Sequence, residues 1–272
     1  MASSNPAFTN SPAFSEKSGK AAELFQPAQT ANLSATQLNE LYGRPAATPS
    51  DTDRMTYEDT IVKTVVSFGI LLVGAAVGWF IPVLALPAAL VGFVLALVNI
   101  FKKKPSPPLI LSYAAVQGVF VGGISGIFES MYPGIAVQAV LATLTVVGVT
   151  LALFASGKVR ASKRATKIFL IAMVGYAAFS LINFGLMIFG ANTEPFGLRS
   201  QEIFGIPLGL IIGVFVVLLA AYSLVLDFDN VQTGVRRGAP RIYGWSAAFG
   251  IMLTVIWLYL EIIRMIAILR SN

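Results

Sequence analysis

A chain of 272 residues that is 56% hydrophobic and only 12% charged, with a mean hydropathy of +0.76, carries about half the charge of an ordinary soluble domain; its solvent is the bilayer. It contains no Cys and no His, which excludes disulfides, thiolate or imidazole catalysis and Cys/His metal centres. Ion chemistry is left to carboxylates, hydroxyls and backbone carbonyls, which suit protons and hard cations.

Residues 1 to about 56 are rich in Ala, Ser, Thr, Asn and Pro, with a short repeat in Asn5-Pro6-Ala7-Phe8 and Ser11-Pro12-Ala13-Phe14. They read as a disordered or weakly structured tail, interrupted at most by a short helix from Ser34 to Tyr42, capped by Ser34 and stopped by Gly43 and Pro45. The tail lacks the apolar core and cleavage site of a secretory signal, so it is expected to persist.

Seven apolar stretches follow at about 61–81, 84–101, 109–128, 135–155, 168–189, 203–226 and 243–269, each near the ~20 residues that a helix needs to cross hydrocarbon. Because no other open structure satisfies its own backbone in lipid, the expected fold is an all-α, seven-span membrane domain over 57–272. Thr56 and Asp59 form a capping-box-like start to the first span. Sixteen of the 19 Lys and Arg residues fall on the side of the N-terminus, including Lys102–Lys104, the 158–167 connection, and Arg236, Arg237 and Arg241. Arg199 and Arg270 fall on the other side and Arg264 lies inside the seventh span, so the positive-inside rule places the N-terminus in the cytoplasm and the C-terminus outside. Orientation and anionic headgroups account for the net charge of +6, and nucleic acid is not expected as a partner.

Of 13 acidic residues, seven lie in the tail or at its end, Glu58 and Asp59 among them, and read as solvated. Glu129 at the end of the third span, Asp227 and Asp229 at the end of the sixth, and Glu261 inside the seventh touch hydrocarbon. Glu261 follows Trp257-Leu258-Tyr259-Leu260, at a depth where an ionised carboxylate costs at least ~2.5 kcal/mol. It reads either as an ion or proton site or as a structural pair with Arg264, one turn on. Asp227 and Asp229 oppose the negative end of a helix macrodipole there, which calls for a cation, Arg236 or Arg237, or a shared proton; an interfacial helix end is the plainer reading. Gly118, Gly122 and Gly126 in the third span, Gly205, Gly209 and Gly213 in the sixth, and Gly74 with Gly78 in the first recur every fourth residue and mark close helix packing. Gln117 beside the third-span stripe can hydrogen-bond inward or glue two helices together.

Leu226-Asp227-Phe228-Asp229 closing the sixth span, Leu258-Tyr259-Leu260-Glu261 in the seventh, the Asn5–Phe8 start and the loop Val235-Arg236-Arg237-Gly238-Ala239-Pro240 together resemble the Bax inhibitor-1 family, in particular its bacterial branch, over about residues 55–270. The resemblance implies two three-helix layers enclosing the seventh helix. It also implies a pH-sensitive calcium leak in the plasma membrane, governed by acids at the positions of Asp227 and Glu261, with calcium as the transported ion rather than a cofactor. Here Glu261 replaces the more usual Asp, and Gln117 stands where many members carry Glu. Asp227 and Glu261 are 34 positions apart, more than is usual, and a straight helix from Ile242 would carry Glu261 ~28 Å along, beyond proton-sharing range. The leading expectation is a passive cation pathway gated by protonation, with Asp227 and Glu261 as its ion site and Asp229, Glu129, Arg264 and Gln117 around it. The alternative is an interaction protein that regulates a membrane protease or stress response. An enzyme is not expected, since rhomboid-like proteolysis needs a His and a retinal protein a Lys in the last span.

Overall fold

The computed structural model describes residues 53–194 and 196–271; the expected tail helix at 34–42 lies outside them. Seven helices run through the chain: α1 Tyr57–Phe80, α2 Ala85–Phe101, α3 Pro107–Met131, α4 Ile135–Ala155, α5 Lys163–Ile188, α6 Leu208–Arg236 and α7 Gly244–Ser271. Each is long and apolar enough to cross a membrane, α2 together with the 3-10 turn before it.

Local chemistry sets the ends. Thr56 Oγ1 accepts from the Asp59 amide at 3.1 Å to cap α1, and Ser162 Oγ accepts from the Ala165 amide at 3.2 Å to cap α5. Pro107 and Pro108 occupy the first turn of α3, where their missing N–H groups cost nothing. Glu129, on the last turn of α3, reaches across the tight turn and accepts from the amides of Gly134 (2.6 Å) and Ala136 (3.0 Å), satisfying the exposed donors that open α4. Its expected place beside an ion path is therefore revised: Glu129 is a helix cap.

The sixth span differs from expectation at both ends. Residues Glu202–Ile203 and Ile206–Pro207 pair as a small antiparallel hairpin, β1 and β2, before α6 begins at Leu208. Phe204 (φ 57°) and Gly205 (φ 77°) both take left-handed backbone at its tip, the pattern of a two-residue primed turn. Gly205 is thus a turn residue, not a member of a helical stripe. At the other end α6 continues to Arg236, so Asp227 and Asp229 lie about two turns before its end, and the macrodipole argument does not reach them.

Packing follows the small residues. A Cβ at Gly74 or Gly78 of α1 would collide with the carbonyls of Ala115 or Val119, and one at Gly118 or Gly122 of α3 with those of Leu71 or Ala75. A Cβ at Gly126 would meet the Trp79 carbonyl at 3.2 Å, so α1 and α3 approach backbone to backbone from Leu71 to Trp79 and from Ala115 to Gly126. Gly213 similarly receives Met265, and Gly209 receives Ile268, between α6 and α7. One layer is α1, α3 and α2, the last resting on α3; the other is α4 and α6, with α5 against α6. Between them α7 touches α1, α3, α4 and α6. Its Ala247, Ala248, Met252, Leu258 and Ile263 are fully buried, and Phe249 meets Tyr113 edge-on at 5.1 Å. Helix α5 is the contrast, burying only Phe169 and Asn183.

Candidate functional site

Glu261 sits on α7 with 2% of its surface exposed. Its Oε1 accepts from Arg264 Nη1 at 2.8 Å, one turn on along the same helix, and from the hydroxyl of Tyr176 on α5. Its Oε2 accepts from Arg199 Nη1 at 3.2 Å, and Arg199 Nη2 donates to the Tyr176 hydroxyl at 2.8 Å. Glu261, Arg199 and Tyr176 form a closed ring of charge-assisted contacts, to which Arg264 adds a second guanidinium on Glu261; the four are here termed the clamp.

Arg199 comes from the turn Gly197–Ser200 between α5 and α6, yet its side chain is only 5% exposed. The turn is aimed by Asn183, whose Oδ1 accepts from the Leu198 amide at 2.7 Å and whose Nδ2 donates to the Phe196 carbonyl at 3.3 Å. Gly197 (φ 62°) takes left-handed backbone against Asn183, where any side chain would be strained and would collide. The guanidinium stacks near Tyr176 (5.5 Å) and Phe179 (5.8 Å). Burial disfavours its charged form, but Glu261 and Tyr176 more than offset this and hold the Arg199 pKa above its ordinary value.

Neither Arg199 nor Tyr176 was legible as a site residue. A tyrosine in an apolar span and an arginine in a polar loop are both ordinary; the available signal was that a buried acid needs a cation, and that basic residues are scarce at this end of the bundle.

Asp227 lies elsewhere. It is fully buried on α6, where Thr254 Oγ1 of α7 donates to its Oδ2 at 2.6 Å. Thr254 precedes Glu261 by seven residues on a continuous helix, ~10 Å along its axis. The expected Asp227–Glu261 ion site is therefore not assembled: each acid has its own partners at its own depth. Asp229 is half-buried, within electrostatic reach of Arg160 and Arg236. The Gln117 amide oxygen packs where a Cβ at Gly92 would fall, in the α2–α3 contact and not beside either acid. Among the described residues no three acidic side chains converge on one point.

A third ionic group closes the other end of the bundle. Asp59 on α1 pairs with Lys63, one turn on, and accepts from Arg241 Nε at 2.8 Å, while Lys63 Nζ also donates to the Arg241 carbonyl at 2.6 Å. Beside it, the Met55 amide donates to the Ala239 carbonyl and the Arg241 amide to the Asp53 carbonyl, joining the start of the domain to the α6–α7 connection. Asp59 thus belongs to a lock between α1 and α7, not to a solvated tail.

Beside the clamp, a cavity of about 420 Å³ opens between α5 and α7. Arg199, Arg264, Glu261 and Ser180 supply its polar wall; Phe184, Phe196 and Trp257 lie on its apolar side.

The model of a protein family described as Bax inhibitor 1 like matches residues 5–271, essentially the whole chain. No curated protein and no solved structure matches it.

Proposed function

The chain belongs to the Bax inhibitor 1 like family, and on that premise we propose that it is a passive cation pathway, with calcium as the leading ion, held here in a closed state. One observation carries this reading: the acid buried on the central helix is gripped by an arginine that comes from outside the span, on the turn between α5 and α6. Two guanidiniums at the far end repel an entering cation, and Asp227 closes the path about two turns away through Thr254. Protonating Glu261 removes the charge that holds both arginines, so acid favours release of the turn and opening. The distribution of basic residues supports a cytoplasmic N-terminus, and the Asn5–Phe8 start supports a bacterial plasma membrane. No catalytic step belongs to this reading.

The test is calcium entry into proteoliposomes across pH. Wild type should leak more as pH falls, and Arg199→Gln should leak at neutral pH as the wild type does in acid. Glu261→Gln should flatten the pH response. If both variants match wild type at every pH, the reading is wrong.

A further inference from the structure

The cavity beside the clamp is built for more than its own carboxylate. We propose that it binds the phosphate of an anionic lipid headgroup, entering between α5 and α7.

Three observations point there. The charges do not balance: two guanidiniums face one carboxylate, leaving a net positive wall. Arg264 is 34% exposed and donates from Nη1 alone among the described residues, so most of its fork is available to a second anion. Among the described residues the buried hydroxyl of Ser180 on the same cavity has no hydrogen-bond partner, a condition that a native interior seldom tolerates. Phosphate, with oxygens on several sides, can accept from Arg264 and Ser180 together, while Phe184 and Trp257 line the way for the apolar part of the molecule.

Depth agrees. Arg264 lies seven residues from the end of α7, ~10 Å along the axis, within reach of the interfacial zone that holds lipid phosphates. Of the three basic residues at this end among the described residues, Arg199 and Arg264 line the cavity, whereas Arg270 lies outside it and donates to the Pro133 carbonyl and to Gln138. The thin packing of α5, which buries only Phe169 and Asn183, leaves the lateral entrance open. This assignment does not depend on ion conduction.

The experiment is native mass spectrometry of the full chain released from vesicles of equal parts phosphatidylglycerol and phosphatidylcholine. Wild type should retain phosphatidylglycerol preferentially, Arg264→Gln should lose roughly tenfold of that retention, the effect of one charge-assisted contact, and Arg270→Gln should match wild type. Ser180→Ala, which removes one hydroxyl from a site that still folds, should lose a smaller part. Equal retention of the two lipids, or wild-type retention by Arg264→Gln, would overturn the proposal. Displacement of the lipid by millimolar inorganic phosphate would overturn the lipid source in favour of the free ion.

Discussion

Asp59 and Glu261 are each gripped by two cations, the first beside the turn that leads into α7 and the second seventeen residues along that helix, yet the two groups differ in what surrounds them. At the first, the Arg241 side chain is 56% exposed and water shares the work. At the second, Glu261 and Arg199 are 3% and 5% exposed, and only Arg264, at 34%, faces outward. The same inventory of charges is a surface lock in one place and a buried commitment in the other.

Removing the shared acid should separate them most. Glu261→Gln leaves two guanidiniums facing each other without their counter-charge, and should cost about 3–5 kcal/mol in unfolding from detergent micelles. A cost near zero would mean that water reaches the clamp freely. Arg199→Gln leaves Glu261 with Arg264 and Tyr176, so the loss should be smaller, about 1.5–3 kcal/mol. Alkali sharpens the contrast further. Because the folded pKa of Arg199 lies above its ordinary value, its contribution is fully present below that ordinary value and is lost only as pH rises through the still higher folded one. The stability difference between wild type and Arg199→Gln should therefore stay constant from about pH 6 to about pH 10; a difference that shrinks over that window would show that arginine deprotonation opens the clamp. Smallest of all, Arg241→Gln should shift the melting temperature within the scatter of replicates and even less in high salt, since its backbone carbonyl still receives Lys63.

How far the sequence carried the fold depends on which force shaped each part. The seven spans were legible because bilayer thickness acts on every helix alike, and the Gly74/Gly78 and Gly118/Gly122 spacing because backbone contact leaves no room for a side chain. The start of α6 was not: Ile203, Phe204 and Ile206 are as apolar as a span, and only the Phe204–Gly205 turn reveals that they form a hairpin. Buried acids could be picked out one at a time, but not their partners. Arg199 reaches Glu261 from 62 residues away, a distance that no helical period connects, and Asp227 found Thr254 on the neighbouring helix rather than the other acid. Asp59 looked like a capping residue at the edge of the tail. Its amide does meet Thr56, while its carboxylate turns to Lys63 and Arg241.

The fastening of α7 limits how this molecule can move. The 3-10 turn that leads into the helix is tethered through Arg241 to Lys63 and Asp59, and the last turn of the helix through Arg270, whose Nη1 and Nη2 hold the Pro133 carbonyl at 2.8 Å and Gln138 at 2.9 Å. A rod tied at both tips cannot act as a piston; it can roll about its own length or bow at the middle. Spin labels at mid-helix, rather than at the extremities, are where displacement would register.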